Sequence, residues 1–246
     1  MVVATNLRDR LALVTGAGRG IGRAIALALG AAGADVAVNF KDNEHSAEQV
    51  VASLRKLGVK SLAVRADVSQ AAAVASMMAA IERQLGGVDV LVNNAGVAQR
   101  RGLDDLTEAD FDRTLAVNLK SAFLCTQAAL PHMRAQSFGR IVNISSGAAR
   151  GAGVVGIHYN ASKAGMEGLT RGYAARLVKE GITVNAVAPS LIKTDMLADR
   201  IAAAAASIPL GRPGLPEEVA QCVLMVIDNP YMTGQTIAMS GGMAFN

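Results

Sequence analysis

The sequence has no tryptophan, and aromatic residues make up only 3% of its 246 positions. Proteins that bind single-stranded nucleic acids stack the bases on aromatic side chains, so this scarcity argues against a nucleic-acid partner. Lysine and arginine exceed aspartate and glutamate by 24 to 20, and the excess is spread along the chain rather than gathered in a block. This mild positive balance leaves room for a ligand that carries phosphate.

Cysteine is also scarce, since Cys125 and Cys222 lie far apart in apolar runs without a C-x-x-C spacing. We predict two buried free thiols and no metal centre. Residues 1–10 are polar and charged, unlike a signal peptide, and no apolar stretch is long and charge-free enough to cross a bilayer. These features predict a cytoplasmic protein without a membrane partner.

Hydrophobic residues make up 51% of the chain, enough for a sheet that is covered on both faces. Short apolar runs alternate with segments of helical period, a pattern typical of βαβ units. The predicted strands are Leu11–Thr15, Asp35–Phe40, Ser61–Arg65, Val88–Asn93, Arg140–Ile144, Thr183–Ala188 and Thr236–Met239. The predicted helices are Gly20–Ala32, Ser46–Leu57, Ala71–Leu85, Glu108–Arg134, Tyr159–Lys179 and Pro216–Ile227. The sequence therefore predicts one α/β domain over residues 1–246, with a doubly wound, seven-stranded parallel sheet.

The first predicted strand runs directly into a glycine-rich turn, Gly16-Ala-Gly-Arg-Gly-Ile-Gly22, and then into a helix. Backbone N–H groups and the positive end of a helix dipole attract a pyrophosphate there, and glycines let the backbone approach it. The spacing is T-G-x-x-x-G-x-G, because no G-x-G-x-x-G register fits. The turn predicts a dinucleotide site; a glycine-rich connection without a ligand is the alternative.

The end of the second strand reads Val38-Asn39-Phe40-Lys41, without the acidic residue that would hydrogen-bond the adenosine ribose of NAD. Arg19 in the turn and Lys41 after the strand could both reach a 2′-phosphate. This charge pattern favours NADP(H) over NAD(H).

Tyr159 and Lys163 are four residues apart near the start of a predicted helix, so they share one face. An ammonium group close to a phenol favours the phenolate, and we expect it to lower the pKa of Tyr159 toward the working range. Tyr159 would then act as the acid in ketone reduction and as the base in alcohol oxidation.

Three motifs together resemble the short-chain dehydrogenase/reductase family: Thr15-Gly-Ala-Gly-Arg-Gly-Ile-Gly22, Asn93-Asn-Ala-Gly96 and Tyr159-Asn-Ala-Ser-Lys163. Within that family the chain is most similar to the 3-oxoacyl-(acyl-carrier-protein) reductase type. The resemblance covers nearly the whole chain and implies a Rossmann fold, a nicotinamide cofactor, and a homotetramer formed through the two long helices.

The resemblance also implies roles for individual residues. Ser146, thirteen residues before Tyr159, would polarise the substrate oxygen, and Asn118 would support a water chain to Lys163 through an irregular helix. Lys163 would also hydrogen-bond the nicotinamide ribose, and residues 190–207 would form a substrate lid. The predicted cofactor-binding residues are Gly16, Gly18, Arg19, Gly20, Ile21, Gly22, Asn39, Phe40, Lys41, Asp67, Val68, Asn94, Ala95, Gly96, Tyr159, Lys163, Pro189, Ile192 and Thr194.

The chain departs from the family pattern at Ser190, where glycine is usual, and at Ser240, where an acidic residue is common. Carrier-dependent relatives resemble one another in two basic residues, and the aligned positions here are Ser137 and Glu180. An acyl-carrier protein, a coenzyme A thioester, a free ketone and a sugar therefore remain alternative substrate forms.

Two other functions compete with ketone reduction: oxidation of a sugar, polyol or other secondary alcohol, and a non-catalytic regulator that senses the dinucleotide. The intact Ser146, Tyr159 and Lys163 argue against the regulator, which needs no activated phenol. His158 adjoins Tyr159, but successive helical positions diverge by about 100°, so we predict that it is exposed and faces away from the reaction.

Overall fold

The computed structural model describes residues 6–194 and 205–244, and within them seven strands form one parallel sheet. The strands are β1 (Leu11–Val14), β2 (Asp35–Phe40), β3 (Ser61–Arg65), β4 (Val90–Asn93), β5 (Gly139–Ile144), β6 (Ile182–Pro189) and β7 (Thr236–Met239). Their order across the sheet is β3-β2-β1-β4-β5-β6-β7. The order reverses between β1 and β4, which is where a doubly wound sheet binds its ligand.

Helices connect the strands and cover both faces of the sheet. They are α1 (Gly20–Ala31), α2 (Glu44–Lys56), α3 (Ala71–Gln84), α4 (Glu108–Leu115), α5 (Ser121–Ala135), α6 (Ile157–Leu177) and α7 (Pro216–Asp228). The predicted α/β fold, with parallel strands and helices on both faces, is confirmed.

The core consists of two apolar layers, one on each face of the sheet. Because successive strand residues point to opposite faces, Ala12 and Val14 of β1 pack with α1, α2 and α7, whereas Leu11 and Leu13 pack with α3, α5 and α6. These four side chains are at most 4% exposed. Burial on both faces explains why β1 is a continuous apolar run rather than an alternating one.

Local signals set the helix ends. The Asn43 side chain accepts a hydrogen bond from the Ser46 amide at 2.9 Å and caps α2. Thr107 and Asp110 form a reciprocal capping box at the start of α4. Four glycines that follow helical segments have positive φ, a conformation in which only glycine is unstrained: Gly33, Gly58, Gly86 and Gly181.

The predicted helix Glu108–Arg134 is interrupted at Asn118, where the family resemblance implies an irregular helix. A π-helical turn at Ala116–Lys120 separates α4 from α5 and holds one residue more than an α-helical turn. The other predicted elements differ from the structure by no more than two residues at either end. Among the helices of residues 6–194 and 205–244, none has the length and apolar character needed to cross a membrane.

Candidate active site

The glycine-rich turn lies at the carboxyl end of β1, beside the point where the strand order reverses. Gly16 and Gly20 have φ values of +64° and +54°. A Cβ atom at Gly22 would overlap the side-chain amide of Asn94 and lie 2.5 Å from the carbonyl oxygen of Gly16. The turn is therefore packed too closely for any side chain at this position.

The first turn of α1 is open to an anion. Arg19, at the N-cap, makes no side-chain capping hydrogen bond in the described structure, so the first N–H groups of α1 lack a capping partner. A helix N-terminus preceded by glycines, with its N–H groups uncapped, fits the pyrophosphate of a dinucleotide. Thr194 lies at this end of α1, since its Cγ2 would be 3.4 Å from a Cβ at Gly20.

The segment after β4 is tied to the glycine-rich turn. The Thr15 hydroxyl accepts hydrogen bonds from the amides of Asn94 and Ala95, both at 3.0 Å. The Asn94 side chain donates to the carbonyls of Thr15 at 2.8 Å and Gly16 at 3.1 Å. The structure thus brings Asn94 and Ala95 alongside the predicted phosphate turn.

The end of β2 carries a buried side-chain amide, that of Asn39, and is followed by an exposed cation, Lys41. The buried Asn39 side chain accepts from the Gly16 amide at 3.2 Å and donates to the carbonyls of Val64 and Ala66. Asn39 therefore shapes the turn from inside the protein. Phe40 is also buried, whereas Lys41 is exposed.

Lys41 and Asp67 form an ion pair of 2.8 Å at this end of the groove. Partial burial raises the pKa of Asp67, but hydrogen bonds from Lys41 and Ser69 outweigh burial and bring the pKa below its ordinary value. The neighbouring Val68 is buried, and Arg19 is exposed. The predicted adenosine end thus contains one exposed cation, Lys41, and one carboxylate that is already paired with it.

The carboxyl end of β5 separates two serines. Ser145 is buried and donates to the carbonyl of Lys163 at 3.3 Å. Ser146 points the other way, toward Tyr159, where its hydroxyl lies close enough to lower the pKa of the phenol, and it accepts from the Ala148 amide at 3.2 Å. Of the two serines, Ser146 is the one that contacts Tyr159.

Lys163 is 4% exposed, and its Nζ donates to the carbonyl of Ile144 at 2.7 Å. Burial lowers the pKa of Lys163 to about 8. Burial also raises the pKa of Tyr159, and the Ser146 hydrogen bond only partly offsets it. The expectation that Lys163 lowers the pKa of Tyr159 is therefore wrong for the protein alone, because Nζ lies 5.7 Å from the centre of the ring and bonds a carbonyl instead. Tyr159 is a protonated acid at neutral pH.

Asn118 lies in the π-helical turn and is fully buried. Its Oδ1 accepts from the Val97 amide at 2.8 Å, and its Nδ2 donates to the Val97 carbonyl at 3.0 Å and the Ser162 hydroxyl at 3.1 Å. A Cβ at Gly96 would lie 3.3 Å from Asn118 Oδ1 and 3.8 Å from Lys163 Nζ. Asn118, Gly96 and Lys163 therefore meet at one place.

The end of β6 closes the groove on the remaining side. Pro189 and Ile192 are buried, and Ile192 forms a β-bridge with Gly214. Ser190 Oγ would be 2.5 Å from a Cβ at Gly147, so the serine that replaces the usual glycine contacts the residue after Ser146. Residues 195–204 of the predicted lid lie outside the described residues.

Three residues near the site were missed or misplaced by the sequence analysis. Asn160 donates to the carbonyls of residues 148, 151 and 152 at 2.9, 2.6 and 2.7 Å and so holds the loop after Ser146. The buried carboxylate of Glu167 accepts from Arg150 at 3.0 Å. The prediction that His158 is exposed is wrong: its exposure is 0%. The segment after β4 covers His158, and helical period alone cannot reveal a covering loop.

The predictions on thiols and metals concern residues elsewhere. Cys125 is buried and Cys222 half-buried, and both are free thiols. Burial raises the pKa of Cys125 to about 12, so this thiol is inert at neutral pH. No cluster of three or more histidine, cysteine, aspartate or glutamate residues in the described part of the chain could hold a metal ion.

Comparison with known proteins agrees with this geometry. The family model for short chain dehydrogenases matches residues 10–205. The chain belongs to the short-chain dehydrogenase family. It is 43% identical to the 3-oxoacyl-(acyl-carrier-protein) reductase FabG of Staphylococcus aureus over 240 residues, which cover 94% of this chain and 97% of that protein. It is 41% identical to the 3-oxoacyl-(acyl-carrier-protein) reductase of Synechocystis over 243 residues, 97% of this chain and 98% of that protein.

Solved structures of the same family share the fold. A short-chain type dehydrogenase/reductase from Mycobacterium marinum has a TM-score of 0.92 at 35% identity, covering 98% of this chain and 97% of that one. A protein described as a candidate gluconate dehydrogenase from Agrobacterium tumefaciens has a TM-score of 0.93 at 34% identity, covering 98% of both chains. Proteins similar to this chain are thus named both as reductases of 3-oxoacyl groups and as dehydrogenases.

Proposed function

We propose that the protein is an NADP(H)-dependent ketoreductase that converts a 3-oxoacyl thioester to the 3-hydroxyacyl product. The observation that carries the proposal is the contact between the hydroxyls of Ser146 and Tyr159, with Lys163 beside them. All three lie at the same edge of the sheet as the uncapped N-terminus of α1. A ketone oxygen placed between the two hydroxyls would face the groove that fits a dinucleotide.

The chain supplies the proton chemistry. Ser146 donates a hydrogen bond that polarises the carbonyl, and Tyr159 gives its proton to the oxygen as charge develops there. Tyr159 is protonated at neutral pH and so has a proton to give, although burial raises its pKa and makes it a weaker acid in the protein alone. Lys163 would then return a proton to Tyr159 from solvent, through a water chain that Asn118 supports. The nicotinamide supplies the hydride when it is bound.

Preference for NADP(H) over NAD(H) is supported by charge at the end of β2. Lys41 is exposed there, and Arg19 projects from the phosphate turn. The nearby carboxylate of Asp67 is held by Lys41 and Ser69, so it does not present a free acceptor to the ribose hydroxyls. A 2′-phosphate would meet two cations in this region.

The substrate form is proposed as a thioester on the strength of the two named relatives. Recognition of an acyl-carrier protein has weaker support, because Glu180 pairs with Arg134 at 2.6 Å and neutralises that part of the surface. Substituting Glu180→Arg would add a cation and free Arg134. If a carrier docks at this surface, E180R lowers KM for the carrier-bound substrate and leaves KM for the coenzyme A thioester unchanged.

The test of the proposed function is a set of initial rates with each cofactor. The ketone panel contains 3-oxoacyl thioesters on carrier protein and on coenzyme A, together with free cyclic ketones. We expect oxidation of NADPH with a thioester and a higher kcat/KM than with NADH. Tight NADPH binding without turnover on any carbonyl or alcohol would contradict an enzymatic role and favour the regulator.

A second candidate function is the oxidation of a sugar, polyol or other secondary alcohol, and the likeness to the Agrobacterium tumefaciens protein favours it. The same Tyr159 would act as the base, which requires its pKa to fall when the oxidised cofactor is bound. Alcohol-dependent reduction of NADP⁺ or NAD⁺ at a higher kcat/KM than any ketone reduction would establish this candidate instead.

Assembly as a homotetramer through α4, α5 and α6 is part of the proposal. An apolar groove of about 620 Å³ runs between these helices, and Leu115, Leu119, Phe123 and Leu169 line it. Phe123 is 43% exposed in the single chain, an unusual state for a large aromatic side chain. Light scattering should give the mass of four chains, and Phe123→Glu should reduce it.

A further inference from the structure

His158 precedes Tyr159 and is fully buried, although it lies in the first turn of α6. Its Nε2 lies 3.0 Å from the carbonyl oxygen of Gln99, in the segment that follows β4. Because a carbonyl can only accept, Nε2 is the donor of this hydrogen bond. Within the described part of the chain, Nδ1 has no hydrogen-bond partner.

The backbone before α6 passes directly over the imidazole ring. A Cβ at Gly156 would lie 2.7 Å from Cε1 and 2.8 Å from Nδ1 of His158, and 2.9 Å from the Arg101 carbonyl oxygen. Gly156 also has a φ of +141°, which favours glycine. The ring therefore fills a closed space between two loops, and its position is fixed on both sides.

Two further contacts hold the same segment after β4. Asn118 binds both backbone groups of Val97, and the Arg101 amide donates to the Val155 carbonyl at 3.0 Å. The His158 bond to Gln99 lies between these two points along the chain. Residues 97–101 are thus attached at three places: to Asn118 in the π-helical turn, to His158 in α6, and to Val155 in the loop that leads into α6.

We infer that His158 is a positioning residue that holds residues 97–101 as one wall of the substrate cavity, at a fixed distance from Tyr159. The hydrogen bond joins His158, the neighbour of the proposed acid Tyr159, to Gln99 in the segment after β4. Loss of this bond would therefore let residues 97–101 move away from Tyr159. Gln99 and Arg100 are exposed at this wall and would meet the substrate beyond its ketone group. The kinetic part of this inference rests on the proposed function, and the structural part does not.

A matched pair of substitutions tests which ring nitrogen matters. In His158→Gln the side-chain amide nitrogen reaches about as far as Nε2, whereas in His158→Asn it reaches only as far as Nδ1. Both replacements are polar, and neither is larger than histidine. If His158 only fills space, the two variants should therefore change hydrogen exchange and kcat/KM by similar factors. The hydrogen-exchange rate of the Arg101 amide measures how firmly residues 97–101 are held, and steady-state kinetics measure the effect on turnover.

We expect H158N to speed exchange of the Arg101 amide and of its neighbours by roughly tenfold, the effect of losing one buried hydrogen bond. The same variant should lower kcat/KM for the ketone by a similar factor while KM for NADPH stays within about twofold. H158Q should stay within about twofold of the wild type in both measurements. Equal effects of the two variants, or unchanged exchange in H158N, would overturn the inference.

Two outcomes separate this inference from the proposed function. If the wild type reduces no ketone, the proposed function fails, and hydrogen exchange alone decides whether His158 holds the wall. If H158N does not fold, ¹⁵N NMR of histidine-labelled wild type takes its place. The inference requires a proton on Nε2 in slow exchange with water, and an Nε2 without a proton would overturn it.

Discussion

Replacing Lys163 with methionine should reveal what it costs the protein to keep this charge buried. Burial lowers the pKa of Lys163 from 10.5 to about 8. Because the folded pKa lies below the unfolded one, the unfolded chain binds more protons between these values, and stability rises with pH across this range. The whole shift corresponds to about 3 kcal/mol, of which about 1.3 kcal/mol is recovered between pH 7 and pH 9.

The assay is urea denaturation of wild type and K163M at pH 7 and pH 9. Methionine removes the charge and keeps most of the side-chain volume, but it leaves the Ile144 carbonyl without the donor at 2.7 Å. An unpaired buried carbonyl costs about 1–3 kcal/mol, so the two effects nearly cancel at pH 7 and K163M is close to wild type in stability. At pH 9 the wild type should gain about 1.3 kcal/mol relative to K163M.

Lys56 provides the control, since it is exposed in the last turn of α2. K56M should show the same difference from wild type at both pH values. A difference between wild type and K163M that does not change from pH 7 to pH 9 would refute the argument, because the buried ammonium would then carry no penalty. Turnover by K163M should be lost under all these conditions.

Three further predictions concern the groove and its loops. Tyr159→Phe removes the proposed acid, so kcat should fall by about 10²–10⁴-fold while NADPH binding is retained. The control is Tyr173→Phe, which removes a hydroxyl that hydrogen-bonds Gln127 and should leave kcat unchanged. Lys41→Glu places a carboxylate beside Asp67 and the 2′-phosphate, so it should weaken NADPH binding by at least about tenfold and NADH binding much less. Fluorescence titrations measure both affinities, and equal losses for the two cofactors would contradict this prediction. Asn160→Ala removes the donor from three carbonyls, so kcat/KM should fall by roughly tenfold and hydrogen exchange at residues 148–152 should rise.

Much of the fold could be predicted because local sequence and tertiary packing agree. The strands Asp35–Phe40, Ser61–Arg65 and Thr236–Met239 begin and end where the apolar runs do. Hydrophobic period and flanking glycines are local signals, and in a parallel sheet with both faces covered they coincide with burial. The glycine-rich turn could be located for the same reason, since a strand, glycines and a helix follow one another directly.

The parts of the site that the sequence could not give depend on contacts between distant segments. His158 looks exposed from helical period, yet a segment about sixty residues earlier covers it. The proton affinities of Tyr159 and Lys163 depend on burial, which their spacing of four residues does not reveal. Asn160 and Glu167 are ordinary helix residues in sequence, and their partners lie in the loop after Ser146.

The π-helical turn at Ala116–Lys120 also sets the rotational phase of everything that follows it. Each residue turns an α-helix by about 100°, so the extra residue decides which side of α5 meets the sheet. With it, Cys125, Ala129 and Met133 point into the core, and Asn118 points at Val97. Deleting a single residue here would make the helix regular, but it would rotate Cys125, Ala129 and Met133 out of the core and toward solvent. This irregularity therefore lets one helical segment contribute both to the hydrophobic interior and to the reaction centre.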